Sequence, residues 1–280
     1  MPRRTHAERL ASRDGYFAPE SVIREVGNTP LTPFLGGGPA VLLQVAHPLV
    51  AAGVVAHSDY RHDLWQRLGR TLRALYLITY GTRQEANTAA RAVQAVHAHV
   101  HGETTSQLGP FPAGTHYSAS DPDLQLWVHA TLVSASLAVY QRFVRRLSAA
   151  EHDAYYRDMA VVARLFGVPA SVLPRTLAEF REYFLSQLAS NTITVTTPAR
   201  EVAQVILRAP LPAPLRILVP AHRLATAGFL PARLRAEYGL GWNSLRAAAL
   251  PFAARSMRIT TMPVLLAASR LAPVPRLLTT

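Results

Sequence analysis

Residues 121–146 read DPDLQLWVHATLVSASLAVYQRFVRR. Asp121 is a natural helix N-cap, and Pro122 suits the first helical position, where its missing N–H costs nothing. The apolar positions that follow, through Leu132, Val133, Leu137 and Val139, predict the longest helix of the chain, one apolar enough to be central. Upstream, residues 64–79 carry apolar side chains at 64, 68, 72 and 75 with Trp65 beside them, the spacing of an amphipathic helix that Gly81 ends. A second helix is predicted over 83–101, with Ala90, Val93, Val96, His97 and Val100 along one side and Gly102 as its stop. A polar Gly/Pro-rich loop from 102 to 120 leads back to Asp121. Downstream, Ser148-Ala149-Ala150-Glu151 is a capping box that starts a helix ending near Gly167. Another helix is expected over 171–190. NTITVTT at 191–197 is the single β-like run and reads equally well as an extended connector. After Pro198 the pattern is of short helices interrupted by prolines.

The most apolar segment, residues 39–56, contains Gln44, His47 and Pro48 and falls short of the roughly 20 residues of a membrane-spanning helix. It reads as a buried core helix kinked at Pro48. No repeat and no polar linker divides the chain. The expectation is one all-α domain over 1–280 with about ten helices, a core at about 20–250, an N-terminal arm (1–19) and a Pro-rich C-terminal tail (251–280).

The 280 residues include no cysteine, which excludes disulfides, thiolate metal sites, Fe–S clusters and covalently attached c-type haem. All 29 basic residues are arginine, and the net charge is +12. They are spread along the chain without interleaved aromatics, so a solvated surface and a codon bias explain them better than a nucleic-acid groove does. The basic N-terminus leads into polar sequence and shows no secretory signal; a cytoplasmic location is expected.

Chemistry concentrates in the central helices. Arg67 and Thr71 are four apart and share a face with Leu64, Ala74 and Ile78; a guanidinium turned inward needs an anion or several carbonyls. Arg70 and Arg73 lie on the flank. His97 stands on an apolar helix side, where a neutral imidazole is either a hydrogen-bonded core group or an iron ligand. His101 is four residues on, but a third ligand for a bare metal ion is not evident. His47 and His129 repeat the theme in two further apolar helices. Several buried polar groups in one domain imply a shared network or a cofactor. His57-Ser58-Asp59 reads as a helix end. There is no G-x-S-x-G elbow and no pairing of carboxylates on an apolar face, so serine hydrolase and di-iron chemistry are disfavoured. Gly36-Gly37-Gly38 lacks the lysine of a phosphate loop.

The succession GGGPAVLLQVAHPLVAAGVVAHSDY (36–60), RLGRTLRALYLITYGT (67–82), AVQAVHAHVHG (92–102) and YSASDPDLQLWVHATLV (117–133) resembles the MpaB-like family that includes the rubber oxygenases (latex clearing proteins). The resemblance implies a globin-like helical fold holding one haem b. It places the iron ligand on His97 and a distal Arg-x-x-Lys-Thr motif on Arg67, Arg70 and Thr71. The lysine position is an arginine here, which stays protonated and does not readily coordinate iron. The region of the acidic base proposed for the rubber oxygenases falls in the apolar VAAGVV stretch, and His101 stands where many relatives carry arginine. Under this reading Arg67 and Thr71 shape the distal or propionate side and Arg70 stabilises developing charge. His129 and His47 border the cofactor. The expected partners are a small apolar, unsaturated substrate and O2; no nucleic acid is expected, and peripheral membrane contact stays open. A peroxidase-like or tailoring haem enzyme, or a basic helical protein without catalytic activity, are the other readings.

Overall fold

The structure, a computed structural model, describes residues 14–29, 31–58, 64–208, 216 and 219–256; for residues 31, 64–68 and 256 only the backbone is described. The described residues form twelve helices and one two-stranded sheet, an all-α fold. In order these are α1 (Val22–Gly27), α2 (Leu31–Val45), α3 (Pro48–His57), α4 (Leu64–Tyr80), α5 (Arg83–Ala98), β1 (His101–Glu103), β2 (His116–Ser118), α6 (Pro122–Phe143), α7 (Ala149–Leu165), α8 (Leu177–Ala189), α9 (Thr197–Arg208), α10 (Val219–Phe229), α11 (Ala232–Glu237) and α12 (Ser244–Ser256).

Helix α6 is the axis of the fold, as its apolar sequence requires. Its Asp121 cap accepts from the Asp123 and Leu124 amides at 2.8 and 3.3 Å. Ala130, Val133 and Leu137 bury one side against Ile78 of α4, Ala86 and Ala90 of α5, and Tyr155 and Met159 of α7. Ala135 and Val139 meet Gly36 of α2 on another side. The capping box at Ser148 forms as read, with the Glu151 amide 3.3 Å from Ser148 Oγ and Glu151 Oε2 2.7 Å from the Ser148 amide.

The segment 39–56 is broken, not kinked. Helices α2 and α3 meet at 107°. Pro39 is tolerated inside α2, whereas Pro48 occupies the first turn of α3, and the preceding residue, pushed out of helical geometry, becomes its N-cap. Carbonyls at the end of α2, some of them already accepting a local amide, also accept from distant groups. Tyr238 Oη donates to Leu42 O at 2.6 Å, Trp127 Nε1 donates to Leu43 O and Gln44 O at 3.2 and 3.3 Å, and the Thr194 amide donates to Ala46 O at 2.8 Å. Thr194 belongs to the 191–197 run, which is therefore a connector with buried Ile193 and Val195. No single helix among the described residues is long and apolar enough to cross a membrane.

Candidate active site

Helices α4 and α5 form an antiparallel hairpin around Gly81 and Thr82. Its turn is fixed by a second capping box, in which Thr82 N donates to Glu85 Oε2 at 2.9 Å and Glu85 N donates to Thr82 Oγ1 at 3.2 Å. Both helices rise about 1.5 Å per residue, so positions similarly far from the turn stand level. The stretch 67–71 of α4 is thus brought alongside the last turns of α5, where His97 sits.

The two helices expose this end unequally. On α4, Ala74 and Ile78 are buried, whereas Arg70 and Thr71 are exposed; the Arg67 side chain lies outside the described residues. The inward reading of that face holds for its C-terminal half and gives way to solvent at Thr71. On α5, Val93, His97 and Val100 are half-buried while the positions between them are exposed. They trace one protected stripe at helical spacing, with His97 at its centre. Val100 packs toward Gly53 of α3, where an added Cβ would lie 3.5 Å from its Cγ1 and 3.6 Å from the Tyr117 ring.

The expectation that His101 continues this helix is corrected. The helix closes at His99, whose Nδ1 lies 2.7 Å from Ala95 O, and the Ala119 amide takes Val100 O at 2.8 Å. His101 then pairs with Ser118 in the β1–β2 ladder, so it is not the i+4 partner of His97. Gly102 is required in that ladder, because a Cβ there would sit 2.9 Å from Tyr117 Oη. His57 Nε2 lies 3.2 Å from the same hydroxyl, which ties the end of α3 to the hairpin as well as ending the helix. Beside it opens a pocket of about 490 Å³ lined by His101, Glu103, His116, Tyr117 and Asp121.

His129 is buried in α6, only 4% exposed, and neither ring nitrogen has a hydrogen-bond partner among the described residues. Burial alone lowers its pKa to about 4, so the ring is neutral. One turn away on the same face, the buried Gln125 Oε1 is also without a partner among the described residues, although its Nε2 donates to Ala119 O at 3.2 Å. The Gln125 amide approaches α5 through the next loop. A Cβ on Gly167 would lie 3.6 Å from Gln125 Oε1 and 3.7 Å from Gln94 Nε2, and Gln94 is one turn before His97. Three polar atoms without a protein partner in a packed helix are costly, so this face calls for an ordered water or a bound group.

His47 does not lie within an apolar helix, as its sequence context suggested. It is the N-cap of α3, with Nδ1 accepting from the Leu49 amide at 3.3 Å and its ring 5.6 Å from Phe111. Burial lowers its pKa to about 4, opposed by the Asp121 carboxylate. Both histidines therefore have folded-state pKa values below the ordinary 6.5. Their contribution to stability is complete above pH ~6.5 and is lost as pH falls toward ~4, because the unfolded chain binds the protons first. Denaturant melts of the cofactor-free protein from pH 7.5 down to 4.5 are expected to show steadily falling stability; a flat profile would mean that the rings are not held neutral.

A third buried histidine escaped the sequence reading. His222 of α10 is 7% exposed, its Nδ1 lies 3.2 Å from Phe34 O, and with Thr226 it packs over Gly38. A Cβ at Gly38 would collide with Thr226 Oγ1 and lie 2.9 Å from His222 Cε1. The signal was present in His222 and Thr226 at i, i+4 and in the small residues of the glycine triplet. Arg24 was missed too; only 2% exposed, it donates from Nε to Thr79 O at 3.1 Å and supports the far end of the α4–α5 hairpin.

Helix α6, which carries the buried neutral His129, packs on the α4–α5 hairpin through Ala130 and Val133 against Ile78, Ala86 and Ala90. Residues 24–261 match the family described as ER-bound oxygenase mpaB/B'/rubber oxygenase, catalytic domain, and the chain belongs to this family of oxygenase catalytic domains. Two curated relatives, the uncharacterised proteins Rv2237 of Mycobacterium tuberculosis and Mb2261 of Mycobacterium bovis, are each 30% identical over 213 residues, covering 72% of this chain and 78% of their own length. No solved structure matches the chain significantly.

Proposed function

We propose that this protein is a haem b-dependent oxygenase that uses O2 on a small apolar, unsaturated substrate, with His97 as the protein ligand to iron. The observation that carries the reading is the polar face of α6, where the His129 nitrogens and Gln125 Oε1 have no partner among the described residues, in the same bundle as the α5 stripe centred on His97. The donor set fits this cofactor. Among the described residues no three His, Asp or Glu side chains converge as a bare metal ion would need. An iron held in a porphyrin needs only one or two protein ligands, and a neutral imidazole is the species that serves.

Bound haem would supply the redox chemistry of O2 activation, and the chain's residues supply everything around it. His97 holds the iron. Arg67 and Thr71 provide charge and a hydroxyl for the propionate or distal side. Arg70, which stays protonated, stabilises developing negative charge without competing for the metal. His129 and His47, held neutral, border the group. Ala74, Ile78 and Val93 keep the neighbourhood apolar and exclude water.

The test is spectroscopic. Purified protein titrated with hemin is expected to develop a Soret band saturating at one equivalent per chain, with a ferrous–CO spectrum after reduction. A protein that stays colourless and leaves hemin unbound overturns the proposal. Substrate class follows from comparing aerobic and anaerobic incubations with unsaturated apolar compounds.

A further inference from the structure

Helix α12 has a clearly defined inner side. Leu250 and Ala254 are buried with Leu35, Val139, Phe143 and Ala225, and Leu250 Cδ2 would lie 2.6 Å from a Cβ placed on Gly228. The opposite side should then be polar, and it is not. Leu245 and Phe252, seven residues apart on one face, are 75% and 74% exposed, with exposed Ala248 between them. A helix apolar on both sides has a second apolar partner to meet. Exposed Arg246 and Arg255 flank the outer face, and beyond Glu237 the chain carries five arginines and no Asp or Glu.

We propose that the outer face of α12 docks on an anionic lipid bilayer, with Leu245 and Phe252 entering the interface and the arginines pairing with headgroups. An apolar stripe bordered by arginines that can reach outward is what an interfacial helix presents. The charge selects the partner: a helix bordered by Arg246 and Arg255 and bearing no carboxylate of its own complements an anionic leaflet. A second copy of this chain would set the same arginines against one another. A nucleic acid would use the arginines and leave Leu245 and Phe252 in water. The inference is independent of what the oxygenase site binds.

Sedimentation of the full chain with phosphatidylcholine vesicles containing a quarter phosphatidylglycerol tests it. Binding is expected, weaker by at least about tenfold on pure phosphatidylcholine and in the double variant Leu245→Ser, Phe252→Ser. Both sites are exposed, and an unchanged circular dichroism melt verifies the fold of the variant. Phe252→Trp is expected to give a blue-shifted emission only with anionic vesicles. Failure of the wild type to sediment, or unaltered binding by the double variant, overturns the proposal. So does a wild-type dimer that ignores vesicles and that the double variant converts to monomer, or retention on duplex DNA without binding to vesicles.

Discussion

If the proposed haem assignment holds, His97→Ala is expected to raise the apparent Kd for hemin on the order of 100-fold or more and to abolish the Soret band of the purified protein. The argument is positional. His97 is the one imidazole of the VHAHVH run on the half-buried stripe of α5; His99 is exposed and closes the helix, and His101 stands in the β ladder. His99→Ala should therefore leave hemin uptake intact. His129→Ala removes a bordering group and should weaken binding by about tenfold. Because His97 is only half-buried, its alanine variant should keep the wild-type circular dichroism, and imidazole added to the buffer should restore part of the Soret band by replacing the missing ring. The reverse pattern, with His129→Ala colourless and His97→Ala unchanged, would move the iron ligand to α6 and sink the assignment.

Trp127→Ala is expected to cost about 3–5 kcal/mol of folding stability, the range for deleting a large aromatic from a core. Trp127 is 1% exposed and stacks on Phe184 of α8 at 5.8 Å. Its indole N–H also closes the end of α2 by donating to Leu43 O and Gln44 O. Two variants separate these duties. Trp127→Phe retains most of the packing but removes the indole donor to Leu43 O, while Gln44 O keeps the His47 amide; this should cost about 1–3 kcal/mol. Denaturant midpoints report both losses. Equal stability of Trp127→Phe and wild type would show that the N–H contributes nothing at this junction.

Elements whose cause is local were legible in the sequence. The caps at Asp121 and Ser148, the glycine stop at Gly81 and the apolar spacing of α6 act within a few residues, so their helices lie where the pattern puts them, whereas the Thr82 capping box went unread. What was misread depends on distant partners. The helix through His101 was cut short because residues 116–118 capture 101–103, and a pairing across the loop leaves no mark in helical periodicity. The segment 39–56 was read as kinked because its break is stabilised by Trp127, Thr194 and Tyr238, far along the chain. The same holds for the site. The Arg67–Thr71 and His97 motif was found by spacing and is assembled by a helical hairpin, a local structure. His222 and Thr226 were overlooked because their burial follows from Gly38, more than 180 residues away. The idle nitrogens of His129 are a property of its surroundings and could not be read from WVHATL alone.

The break at His47 has a consequence for how the chain is sorted during synthesis. Joined end to end, α2 and α3 would form a rod of about 37 Å, long enough to cross the roughly 30 Å of a bilayer's hydrocarbon. Folded back at 107°, neither arm reaches across. Pro48 and the His47 cap thus set the effective length of the most apolar stretch in the protein. A variant that let the helix run through this point would present a machinery that reads apolar length with a segment of spanning size.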